Sequence, residues 1–303
     1  MISGLISIYL ATLMKSLPQV KTEQHPSAMF QNVLTAAPIP QTKANTETSS
    51  PADPSTTSSP AIQASAYIVV DLRSGKTLSG KKVGERRAIG SITKLMTALI
   101  VLDENNLNDI VKVPESATKV EGSRIWLAAG EKITIRDLIY GLLIHSGNDA
   151  AYTLAIYNSG SIETFVAKMN DRAQKLGLKN THFTNPAGLD RDDNYSTAED
   201  IALLGSYAYR NSFIRYAVSI PKITVMSVNQ QFKHELESTN VLLTTDPRFK
   251  GLKTGYTLEA GHSFVGVATL PNNATLLTVV LDSPDRFKES VKLVNWAAEN
   301  YNW

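Results

Sequence analysis

Three short stretches carry residue types and spacings suited to acyl transfer: Ser91-Ile-Thr-Lys94, Ser146-Gly-Asn148 and Lys253-Thr-Gly255. A serine hydroxyl is a poor nucleophile until a neighbouring base takes its proton. Lysine can be that base only if its pKa falls, through burial, through a second cation nearby, or both. Lys94, followed by Leu95 and Met96 in an apolar run, would be buried, and Lys253 would be the second cation if the chain brings it close. The backbone N–H of Ser91, at the start of a helix, and that of Tyr256 could both face a developing oxyanion. In such a site Ser146 would pass a proton to the leaving amine and Asn148 would hold a substrate amide. Lys253 and Thr254 would recognise a free carboxylate by charge and hydroxyl hydrogen bond. Gly255 leaves room for a ligand backbone.

Each stretch is weak alone. Ser-x-x-Lys recurs at Ser79–Lys82, Ser116–Lys119 and Ser219–Lys222, and Ser-x-Asn at Ser227–Asn229 and Ser238–Asn240. Context separates them. In a strand, as around Ser79, a lysine three positions on points to the other face. Pro221 breaks a helix through the Ser219 match, and no apolar run follows Lys119. At a helix start, by contrast, Lys94 lies one turn beyond Ser91 on the same side.

The elements that must position these residues are legible in outline. Ala66–Leu72 reads as a β-branched strand, Arg73–Lys76 as a turn and Thr77–Val83 as a second strand. A buried helix opens at Ser91, and helical patterns predominate from there to about Tyr216. Thr134–Asp137 and Ser196–Glu199 read as capping boxes before Leu138–Ile144 and Ile201–Tyr209. Strands return at 251–256, 263–270 and 275–282, with an Asn272-Asn273 turn between the last two, and 284–301 closes as a helix. Strands at both ends with helices between predict one sheet assembled from the two ends of the domain.

With these segments in view, the chain resembles the low-molecular-mass penicillin-binding proteins, the D-alanyl-D-alanine carboxypeptidase and endopeptidase family. The resemblance is carried by the trio and by Gly90–Ala98, Leu142–Ala151, Leu176–Asp190 and Thr245–Thr257, spread over about 66–301. It implies an α+β, penicillin-recognising (β-lactamase/transpeptidase-like) fold: an antiparallel sheet flanked by helices, plus a helical subdomain within about 105–245, the serine at their junction. It also implies an acyl-enzyme on Ser91, with peptidoglycan stem peptides as substrates and β-lactam antibiotics as covalent ligands. Arg286 sits where relatives often carry an arginine near the substrate carboxylate. His145 and His262 are expected to be structural. An endopeptidase acting on D-alanyl cross-links would use the same residues. A class A β-lactamase would need an E-x-x-L-N loop soon after the middle stretch, and Glu237–Asn240 has the wrong spacing. A scaffold that keeps the fold without catalysis is a third alternative.

Composition adds boundaries. The 303 residues, 43% hydrophobic and 19% charged, suffice for one large domain or two modest ones. A formal charge of +2 with no basic run gives no reason to expect nucleic acid. There are no cysteines, and the five histidines are scattered with no H-x-x-x-H pair, so neither a metal nor a cofactor is expected. The uncharged apolar run from Ile2 to Met14 assigns 1–15 to a signal peptide or N-terminal membrane anchor. Residues 16–64, rich in Pro, Ser and Thr, read as a disordered linker reaching on the order of 40 Å. Together they predict a tether for a peptidase domain at 65–303, outside the cytoplasm.

Overall fold

The computed structural model describes Pro51, residues 59–190 and residues 193–303. The expectations for 1–15, and for most of 16–64, lie outside the described residues.

Strand β1 (Ala66–Asp71) is buried along its whole length, as its unbroken run AYIVVD requires of a central strand. It lies between β2 (Thr77–Lys81), a half-exposed edge strand, and β9 (Thr275–Ser283); β8 (Gly261–Thr269) and β7 (Phe249–Thr257) complete a sheet of order β2-β1-β9-β8-β7. All its pairings are antiparallel, and Ala66 sits opposite Leu281. The sheet thus joins the two ends of the domain, as the sequence predicts.

Successive residues of β1 face opposite cores. Tyr67 and Val69 join Phe264, Leu293 and Val294 under helix α9 (Arg286–Asn300). Ile68 and Val70 join Leu95, Met96 and Ile201 on the other side. There the chain makes a 3-10 turn at Gly90–Thr93 and continues directly into α1 (Lys94–Glu104), whose first eight residues are all buried. A helix apolar on every side must be covered on every side. α1 touches α3 (Ile135–Leu143), α4 (Asn148–Ser159), α5 (Ile162–Leu176) and α6 (Ala198–Arg210), and α6 packs on the sheet.

Several local expectations shift. The helix predicted to open at Ser91 begins as the tighter turn, which leaves Ser91 and Lys94 on one side of it. Thr134 does cap α3, accepting from Asp137 N at 3.1 Å. The second cap is Thr197 and not Ser196: Thr197 Oγ1 accepts from Asp200 N, while Ser196 pairs backbone to backbone with Arg87. The stretch read as mostly helical also holds the pair β3 (Ile110–Lys112) and β4 (Lys132–Thr134). Beyond it, a hairpin of β5 (Lys222–Met226) and β6 (Lys233–Glu237) was not anticipated.

Residues 62–64, given to the linker by composition, are part of the described fold. Ile62 packs on the α9 core. Gln63 and Ala64 donate their N–H groups to the buried Glu289 carboxylate of α9 at 2.6 and 2.8 Å, and Ser283 Oγ donates to it at 2.8 Å. Removing one charged partner strands the others, at about 2–4 kcal/mol. Glu289→Ala is therefore expected to lower unfolding free energy by about that amount, read by urea denaturation. Faster amide exchange should be confined to residues 63–66; unchanged protection there would contradict the latch.

Candidate active site

Lys94 is fully buried, and its Nζ lies 2.7 Å from each of three oxygens: Ser91 Oγ, Asn148 Oδ1 and the Ala187 carbonyl. Two of these can only accept a hydrogen bond, whereas the hydroxyl can also donate. A neutral amine has two N–H bonds and one lone pair. With both N–H groups held by Asn148 and Ala187, the lone pair faces the Ser91 hydroxyl. Desolvation, and then the nearby charge of Lys253, hold Lys94 well below an ordinary lysine, offset in part by the Asp149 carboxylate.

Lys253, also buried, donates from Nζ to Ser146 Oγ at 2.9 Å and to the Thr254 carbonyl at 3.2 Å. Burial, reinforced by the Arg286 guanidinium, pulls it down to about 7. Ser146 itself sits at φ +66, just before α4, in the left-handed region that costs a non-glycine residue about 1–2 kcal/mol. Its neighbour Asn148 is held at both ends of its amide, Oδ1 by Lys94 and Nδ2 donating to the Glu121 carbonyl at 2.6 Å. Asp149, fully buried, accepts from Ile125 N and Leu127 N at 3.1 Å and from Ala150 N at 2.9 Å, tying the 122–127 loop to the start of α4. Between the two clamped amides Trp126 projects outward, 71% exposed at φ +64.

Close backbone approach sets the remaining walls. A Cβ at Gly255 would lie 2.5 Å from the Ile89 carbonyl, and one at Gly90 would lie 3.1 Å from Tyr256 N. The turn that bears Ser91 is thus seated on the strand that bears Lys253. A Cβ at Gly188 would fall 1.8 Å from the Gly90 carbonyl, so only glycine lets the loop that supplies the Ala187 carbonyl close on that turn.

The structure brings Ser91, Lys94, Ser146, Asn148 and Lys253 together through these bonds. Thr254 Oγ1 lies 2.6 Å from Thr239 Oγ1. Arg286, at the first turn of α9, donates to the Gly255 carbonyl at 2.8 Å. Tyr256 is half exposed and stacks on His262, ring centroids 4.5 Å apart, while His145 Nδ1 lies 3.5 Å from Glu237 N. Sequence reasoning missed Thr239 and the Ala187 carbonyl. Asn185-Pro186-Ala187-Gly188, within a segment that carried the resemblance, was the available signal, but a backbone oxygen leaves no mark on residue type. Among the described residues no group of three or more His, Asp or Glu could hold a metal ion.

A family model described as D-alanyl-D-alanine carboxypeptidase matches residues 53–285. The D-alanyl-D-alanine carboxypeptidase DacF of Bacillus subtilis is 35% identical over 257 residues, 81% of this chain and 64% of that protein. The D-alanyl-D-alanine carboxypeptidase of Streptomyces sp. K15 is 35% identical over 255 residues, covering 78% of this chain and 88% of that one. The crystal structure of the Streptomyces K15 DD-transpeptidase matches with a TM-score of 0.76 at 32% identity, over 80% of this chain and 100% of that chain. The chain spans under two thirds of the length of several curated relatives, 62–64% for three of them. With that coverage, and with the three stretches meeting at one site, this chain belongs to the D-alanyl-D-alanine carboxypeptidase family.

Proposed function

We propose that the chain is a serine D-alanyl-D-alanine carboxypeptidase acting on peptidoglycan stem peptides outside the cytoplasmic membrane. The observation that carries this reading is the Lys94 amine, buried, with two obligate acceptors and the Ser91 hydroxyl as its three neighbours. Ser91 Oγ attacks the carbonyl carbon of the D-alanyl–D-alanine bond as its proton passes to Lys94 Nζ. No heavy atom of the base has to move, because the ammonium so formed donates to the same three oxygens. The oxyanion is taken by the N–H groups of Ser91 and Tyr256.

Collapse of the tetrahedral intermediate breaks the C–N bond, and the departing amine takes a proton from Ser146 Oγ, replenished from Lys253 Nζ 2.9 Å away. D-alanine leaves and the proton held by Lys94 passes back to Lys253; the neutral Lys94 amine then takes the proton of the water that attacks the ester and returns it to Ser91 Oγ as the C–O bond breaks. Lys253, Thr254 and Arg286 form a cationic, hydroxyl-bearing end of the cleft that suits the terminal carboxylate. Asn148 first of all holds Lys94 in place, and can offer an amide to the peptide only by releasing Glu121. The strained ring and buried carboxylate mimicry of a β-lactam would engage the same groups, leaving a penicilloyl ester on Ser91.

An extracytoplasmic place follows from the substrate, and the apolar run at 2–14 would deliver or hold the chain there. Among the described residues no helix is long and apolar enough to cross a membrane. Extraction of membranes with carbonate would separate a tethered chain from a released one.

Two measurements test the reading. Intact mass after penicillin exposure should rise by one penicilloyl group, mapped to the peptide holding Ser91. Ser91→Ala should remain unlabelled and lose D-alanine release by about 10³-fold or more; a labelled Ser91→Ala protein would refute the nucleophile. The second is pH dependence. Lys253 in the free enzyme is cationic below about 7 and loses that charge as pH rises through it, so kcat/KM for a peptide ending in a carboxylate should fall above about pH 7. The same peptide with an amidated C-terminus should show a shallower fall, because it still needs the proton relayed from Lys253 but has no carboxylate contact to lose. Parallel profiles for the two peptides would rule out Lys253 as carboxylate partner.

A further inference from the structure

We propose that His234 is a positioning residue for the site: as an imidazolium it fastens the 121–131 loop, and through it the Asn148 amide that holds Lys94. The effect on Ser91 chemistry rests on the carboxypeptidase reading; the protonation of the ring and its hold on the loop do not.

His234 lies on β6, and its side chain and that of Glu131 are both buried. Its Nδ1 stands 2.9 Å from the Ile125 carbonyl and its Nε2 stands 2.7 Å from Glu131 Oε1. A carbonyl only accepts, as does an ionised carboxylate, and a neutral imidazole has a single N–H to give. Two donors require the cation. Glu131 Oε2 accepts from Ala128 N at 2.9 Å, which favours the ionised form of that carboxyl. Asp149 accepts the N–H of the same Ile125 whose carbonyl faces the ring. Burial by itself would lower the histidine, but the Glu131 carboxylate, the Ile125 carbonyl and Asp149 outweigh it and raise His234 above its ordinary 6.5. From α3, Asp137 faces the charge of the ring as well. Along β6 the exposed Lys233 and Glu235 pair with each other at 2.7 Å, and the uncharged Val225 stands opposite on β5.

The loop held in this way is the one that clamps Asn148. Asn148 donates its backbone N–H to the Ser123 carbonyl at 2.7 Å and its Nδ2 to the Glu121 carbonyl, while its Oδ1 receives Lys94. Ile125 is fixed at both ends, by Asp149 and by His234. The next residue, Trp126, keeps the left-handed backbone that a non-glycine residue adopts only under constraint. Loss of the second ring proton would set a lone pair against one of the two oxygens and release either Ile125 or Glu131. Because the folded value is raised, the hold is complete below 6.5 and is lost as pH rises through the folded value.

Nitrogen NMR of the full chain labelled with 15N-histidine tests the cation directly. At about pH 6.5, where an ordinary imidazole is half neutral, His234 should show both ring nitrogens protonated; a ring half or more neutral there overturns the proposal. Glu131→Gln keeps the shape of the partner but not its charge, and should lower the pH at which His234 titrates; an unmoved titration counts against the proposal equally. The effect on the site is read as a ratio, the second-order rate of penicillin labelling in the wild-type chain over that in His234→Gln. It should be about tenfold at about pH 6, the scale of one charge-assisted hydrogen bond, and fall toward one by about pH 9 as the wild-type ring becomes neutral. The limb set by Lys253 is common to both proteins and cancels. A ratio constant with pH would make His234 a packing residue and overturn the proposal. Amide exchange at Ile125, corrected for base catalysis, should show the same pH-dependent gap, and decides the hold without Ser91. A wild-type chain with that gap that never labels overturns the carboxypeptidase reading and leaves the hold standing.

Discussion

The exclusion of water from one amine governs the design of this protein. Ionised and unpaired, a buried lysine costs several kcal/mol; neutral, with its two N–H groups on fixed carbonyls, it is tolerated and keeps a free lone pair. Each partner of Lys94 comes from a different part of the chain: Ser91 from its own turn, Asn148 from the head of α4, Ala187 from the loop closing on Gly90. The helices that cover α1 therefore keep the amine dry as well as filling the core, because opening any face of that helix would hydrate the amine and weaken the downward pull on its pKa.

A second buried lysine makes the arrangement costly. Lys253 lies behind Ser146 with only a hydroxyl and a carbonyl to receive its protons, and the Arg286 guanidinium nearby adds repulsion. Ser146 holds a left-handed backbone besides. Such features lower stability for the sake of function. They are offset by clamps that do no chemistry, chiefly Asp149, whose carboxylate fastens the 122–127 loop against α4, and Glu289, which fastens the entry to β1 against α9.

Most of the five-stranded sheet was legible in the sequence because its strands alternate or stay apolar over lengths that only a sheet face accommodates. That Ser91, Lys94 and Lys253 would meet was legible because few residue types suit the chemistry their spacing suggests. What escaped had no such signature. The β5–β6 hairpin is half exposed, with charged residues that dilute its period. Thr197 and Ser196 are both competent caps, and pairing of Ser196 with Arg87 decides between them. Asn148 was read as a substrate contact; only the distances show that both ends of its amide are already committed. The Ala187 carbonyl contributes through backbone alone, and Thr239 meets Thr254 across a gap in the chain that no spacing encodes.

The pairing of Ala66 with Leu281 has a consequence for how the protein comes into being. A sheet whose first strand waits for its last has high contact order and closes late and slowly. The turn bearing Ser91 can form early, from local contacts, yet the loop that seals Lys94 follows some ninety residues later and β7 arrives only with the final fifth of the chain. Until then the lysine stays open to water, without the burial that lowers its pKa. On the proposed mechanism, partly folded intermediates would lack the dry amine, which comes together only at the step that completes the native topology.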